Sequence, residues 1–177
     1  MNIMSSAGVT AGIFIGIFIV LLLFKLVNTN HKSRTEYDER QKEIRGIGYM
    51  YGFYTIVIYE CVMLVLSIGG LQLPVEDFVL HFGGIMLGCI VLGSYCIWHG
   101  AYWGLNNNPK RYAVIIVILA LLNAIPVFGS IKSGSFFENG RAGVPLVNVL
   151  VLIMLLFFAA ELLLKHLADR SSEEKEA

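Results

Sequence analysis

Five apolar runs, at 7–27, 50–69, 78–100, 112–131 and 146–165, leave few folds open to this chain. Each has about the twenty residues a helix needs to cross a hydrocarbon layer about 30 Å thick. The chain carries 13 Lys and Arg and 13 Asp and Glu, yet only Lys25, Glu60, Glu161 and Lys165 fall inside the runs. A segment in lipid must satisfy its backbone groups internally, so each run is predicted to be a helix. The expectation is an all-α integral membrane protein with five transmembrane helices, forming one membrane domain over 1–177. Met1 to Ala11 holds no Lys or Arg, so the basic segment of a cleaved signal is missing and the first run reads as a retained span.

Orientation follows from the basic residues, which stay on the cytoplasmic side of short loops. One side carries Lys25, Lys32, Arg34, Arg40, Lys42, Arg45, Lys110, Arg111, Lys165, Arg170 and Lys175; the other carries only Lys132 and Arg141. This bias predicts the N-terminus outside, the C-terminus in the cytoplasm, and a multi-pass protein of the cell (plasma) membrane. Trp98, Tyr102, Trp103 and Tyr112 fall at the cytoplasmic ends of the third and fourth runs, where an aromatic belt is expected. With zero net charge and no basic face, nucleic acid is not an expected partner.

Without a hydrophobic drive between helices in lipid, small residues mark the places where backbones meet. Gly8, Gly12 and Gly16 form one stripe, Gly48 and Gly52 repeat the spacing, and Gly84 and Gly88 do so in the third run. Such stripes serve either an intramolecular neighbour or a second protomer in a homo-oligomer. Pro126 interrupts the fourth run and predicts a kink, because it withdraws the donor for the Leu122 carbonyl.

Polar groups inside a span are costly and count as functional candidates. Glu60 and Asn123 lie at matching depths, about ten and eleven residues into their parallel runs, and a hydrogen bond between them is expected. His99 and Glu161 form a second set near the cytoplasmic ends, with Lys165 one turn from Glu161 as an ion-pair partner. His81 falls near the outer boundary, where water would solvate it. Cys61, Cys89 and Cys96 show no CxxC spacing and read as small apolar residues, so neither a metal nor another cofactor is expected.

The polar segment 33–46 resists the apolar pattern. It opens with a capping-box sequence, Ser33 to Glu36, and continues with Glu36–Arg40, Asp38–Lys42 and Glu39–Lys42 at helical ion-pair spacing. A charged cytoplasmic helix over 33–46 is therefore predicted, running into the second span. Its charges explain the topology. They also offer a surface for a cytoplasmic protein, with Asp38, Glu39, Arg40, Gln41 and Arg45 as the docking residues.

YDERQKEIRG followed by IGYMYGFYTIVIYE resembles a loose group of small, largely uncharacterised multi-span membrane proteins of Gram-positive bacteria. These carry a D-E-R-Q motif before a transmembrane helix; Asp38, Glu39, Arg40 and Gln41 carry the match, with Arg45 and Gly46 in support. The resemblance implies a membrane-anchored modulator of a cytoplasmic partner and assigns no catalytic residue. No HExxH, GxSxG or Walker sequence is present, so no enzyme is expected. The expected role is a non-enzymatic accessory or regulatory membrane protein. The alternative is a transporter or channel for a small solute, ion or proton that uses Glu60 and Glu161.

Overall fold

The computed structural model describes residues 34–138 and 140–176, and before them residues 14, 18–19, 21–23 and 25–30; of Glu138 and residues 172–176 only the backbone is described. The described positions between 14 and 27 are helical and are labelled α1. Most of the first expected span, with Gly8, Gly12 and Gly16, lies outside the described residues. Four long helices follow: α2 (Glu39–Ile68), α3 (Asp77–Trp98), α4 (Pro109–Ser133) and α5 (Val144–Glu176). All four are long and apolar enough to cross a membrane. Large apolar side chains face outward along them, including Phe53, Val65, Ile125 and Leu156, as suits a solvent of hydrocarbon.

The chain divides into two units. In the larger, Glu39–Tyr102 with Ile116–Ala177, α3 packs against both α2 and α5, and α4 buries no residue. Three of its helices end alike. Gly70, Gly100 and Gly134 take positive φ values of 73°, 73° and 70°. The following amides, of Leu71, Ala101 and Ser135, then reach back to the carbonyls of Leu66, Cys96 and Ser130. This is the Schellman closure, which only a residue without a Cβ adopts cheaply. The 132–145 loop is not wholly irregular: β1 (Phe137–Glu138) pairs antiparallel with β2 (Arg141–Ala142). Ala142 also bridges Val75, so the α2–α3 loop and the α4–α5 loop lie together.

The smaller unit, Met1–Asp38 with Trp103–Ile115, is organised by asparagines. Asn28 is fully buried and Asn106 is 5% exposed. Asn107 Nδ2 donates to Asn28 Oδ1 at 2.6 Å, while its Oδ1 accepts from the Gly104 amide at 2.7 Å. Asn108 Oδ1 accepts from the amides of Lys110 and Arg111 at 3.1 and 3.3 Å. It caps α4, with Pro109 at the first helical position where its missing N–H costs nothing.

The same unit corrects the helix expected over 33–46. Ser33 is outside the described residues, residues 35–38 are not helical, and α2 begins at Glu39. The backbone groups that would start an earlier turn are already engaged. The Glu36 amide donates to Asn106 Oδ1 at 2.8 Å, the Glu36 carbonyl accepts from Leu105 at 2.8 Å, and the Arg34 carbonyl accepts from Asn106 Nδ2 at 3.0 Å. Helix and loop compete for one set of donors and acceptors, and here the loop wins.

Candidate functional site

One face of α2 meets α3 along almost its whole length, through Gln41, Arg45, Gly48, Gly52, Ile56 and Tyr59, spaced at three and four residues. At the centre the backbones touch. A Cβ on Gly52 would stand 2.9 Å from the Gly88 carbonyl oxygen, and one on Gly88 would stand 2.9 Å from that of Gly52. One turn on, Gly84 leaves room for the Tyr59 ring, whose Cδ1 lies 2.5 Å from where a Cβ would be. Tyr59 reaches across and donates to the Leu80 carbonyl at 2.9 Å. This fixes the register of the residue beside it, Glu60.

Glu60 Oε2 lies 2.8 Å from His81 Nδ1. The expected bond to Asn123 does not form; Asn123 Nδ2 donates to the Leu119 carbonyl of its own helix at 2.8 Å. The reason is neighbourhood. α2 and α3 are joined by a short connection and pack as an antiparallel pair, so Glu60, eight residues before the end of α2, meets His81, four residues into α3. That puts Glu60 about 12 Å from its helix end, at about 1.5 Å per residue. His81 is thus a partner within the helix pair, which the reading of a solvated boundary histidine missed.

Glu60 and His81 open on a cavity of about 650 Å3, also lined by Asp77 and Arg141. Their side chains are 37% and 60% exposed, so both reach the cavity. Arg141, on β2, stands 4.0 Å from Asp77, at the outer limit of an ion pair. The loop bridging of Ala142 to Val75 delivers it there. Leu64 and Leu80 supply apolar wall between these groups. A pair this exposed contributes about 0–1 kcal/mol to stability. Folding alone gives little reason for four ionisable groups here.

Glu161 sits elsewhere, against α3. It accepts from Ser94 Oγ at 2.8 Å and Trp98 Nε1 at 3.2 Å, so both of its oxygens are engaged. The expected grouping with His99 does not occur. His99 Nδ1 donates to the Tyr95 carbonyl at 2.8 Å and its ring stacks on Tyr95. Lys165 pairs not with Glu161 but with Asp169, at 2.5 Å, because Ser94 and Trp98 already hold the Glu161 carboxylate.

The motif residues are directed inward as well. Arg40 donates to the carbonyl of His99 at 3.5 Å, Gln41 to that of Gly100 at 3.3 Å and Arg45 to that of Ala101 at 3.4 Å. Arg45 also donates to Tyr49 at 3.0 Å. The bonds are long, but they place two cations at the negative C-terminal end of α3, where positive charge is favourable. Glu39 pairs with Lys42 at 2.6 Å and is 91% exposed; Asp38 is exposed. The spacing of Arg45 from Gly48 and Gly52 was the available signal that the motif shares the packing face. Among the described residues no group of His, Cys, Asp or Glu is arranged to hold a metal. No protein-family model, curated protein or solved structure matches the chain, so its chemistry is read from this geometry.

Proposed function

We propose that this chain is a non-enzymatic, multi-span protein of the plasma membrane that binds a small polar solute, for transport or sensing, at Glu60 and His81. The observation that carries this reading is the Glu60–His81 contact facing a cavity shared with Asp77 and Arg141. A cavity of this volume suits a small ligand, and a few convergent polar groups on apolar walls are what orients one. The basic-residue bias puts the cavity on the outer side, since its loops carry Asp77 and Arg141 rather than the Lys and Arg cluster.

Docking of a cytoplasmic protein is the second reading, favoured by the exposure of Glu39 and Lys42 and by the D-E-R-Q resemblance. Arg40, Gln41 and Arg45 already bond to α3, which leaves Asp38 and Glu39 as the better contacts.

The outward-facing cavity is tested by single cysteines at Glu76 and Ser171 in a background lacking Cys61, Cys89 and Cys96. In intact cells an impermeant maleimide is expected to label Glu76→Cys and to label Ser171→Cys only after permeabilisation. The reverse pattern would turn the cavity toward the cytoplasm and remove this reading.

A further inference from the structure

Resting on the solute-binding reading, we infer that the cavity selects zwitterions: small molecules with an ammonium group and an oxyanion on one short skeleton. The lining supplies fixed charge of both signs. Glu60 and Asp77 carry the negative charges and Arg141 the positive one. Glu60 commits Oε2 to His81, while Oε1 lies over Gly84, where a Cβ would approach it to 3.2 Å. A second oxygen of the same carboxylate is thereby left to accept from an ammonium group. Arg141 has five N–H donors and, among the described residues, a single ion-pair contact at the 4.0 Å limit. Its planar fork matches a carboxylate or phosphate with two parallel bonds. The ring nitrogen of His81 that does not face Glu60 adds a further polar contact, its role set by the tautomer.

A plain cation would satisfy Glu60 and leave the guanidinium facing it; a plain anion would satisfy Arg141 against two carboxylates. Mismatched charge across a contact is repulsive, and that repulsion is what separates partners. A ligand with both ends meets a complement at each. The apolar wall of Leu64 and Leu80 accommodates a short aliphatic group. Two sources offer this chemistry, a free amino acid and the headgroup of phosphatidylethanolamine.

The test uses the full chain purified in detergent and read by thermal unfolding. The probes are L-leucine, phosphorylethanolamine, and two one-ended analogues of leucine, isopentylamine and 4-methylvalerate. At least one zwitterion is expected to raise the unfolding temperature with an affinity about tenfold or more above both analogues, a difference of about 1.4 kcal/mol. R141Q and E60Q should each remove that advantage while keeping the helical circular dichroism, and R141K should restore part of it. A lipid source would show instead as stabilisation in nanodiscs of phosphatidylethanolamine over phosphatidylglycerol, lost in R141Q, with no effect of the free zwitterions. If isopentylamine binds as well as leucine, the cavity is a simple cation site: the zwitterion inference falls and solute binding stands. If no probe and neither lipid changes stability, both fall.

Discussion

Gly88→Ala is expected to destabilise the protein by about 1–3 kcal/mol, the usual range for an atom forced into a filled space. The new Cβ would stand 2.5 Å from Ile56 Cγ1, 2.7 Å from its Cδ1 and 2.9 Å from the Gly52 carbonyl oxygen. Ile56 can rotate, but a backbone carbonyl on a membrane helix cannot, so α2 and α3 must separate. Separation would loosen the Tyr59–Leu80 bond and the Glu60–His81 contact beyond it. Gly52→Ala meets the Gly88 carbonyl in the same way and should behave alike. Gly46 is the control, with nothing within 4 Å of its missing Cβ. Gly46→Ala should be neutral or stabilising by up to about 1 kcal/mol, from helix propensity alone. Unfolding midpoints in a mixed detergent series would compare the three. Equal midpoints for Gly88→Ala and Gly46→Ala would remove the close-packed seam.

Asn106→Leu is expected to open the smaller unit, at a cost of about 2–4 kcal/mol spread over the partners it abandons. Its side chain donates to Asn30 Oδ1 at 3.1 Å and to the Arg34 carbonyl, and accepts from the Glu36 amide. Leucine has similar volume and can make none of these bonds. Asn106→Asp keeps the acceptor for Glu36 but turns a donor into a negative oxygen facing two acceptors, so it should fail as well. Hydrogen exchange at the Glu36 and Leu105 amides is the direct readout. Both should exchange far faster in either variant, with protection in the middle of α3 unchanged. Protection at Glu36 that survives Asn106→Leu would contradict this role.

The contrast between these sites shows what the residues disclosed unaided. The spans at 50–69, 78–100, 112–131 and 146–165 were legible because lipid demands apolar length, and length is countable. Gly84 and Gly88 were legible as contact residues because their spacing puts them on one face. The partner of Glu60 was not. Matching depths pointed to Asn123, but depth is one coordinate only; the contact also depends on which helices are neighbours and on their rotation. The short α2–α3 connection favoured a sequence-adjacent pair, and His81 was the polar residue facing Glu60 across it. The asparagine cluster was harder still. NNNP reads as loop punctuation, while Asn106, Asn107 and Asn108 each perform a different task, binding the 30–36 segment, Asn28 and the start of α4. Composition marks such residues as turn formers and says nothing of which backbone they will bind.

The central claim, a wet and charged cavity around Glu60, is tested most directly at Ser67, which lines it. Ser67→Cys, in the background lacking the three native cysteines, would be alkylated in intact cells by two small impermeant methanethiosulfonates, one cationic and one anionic. The account predicts reaction with both, the cationic reagent faster by about tenfold because carboxylates focus cations in a low-dielectric cleft. Adding Glu60→Gln should shrink that ratio toward unity. A cysteine at Ser67 that resists both reagents, or a ratio untouched by Glu60→Gln, would contradict it.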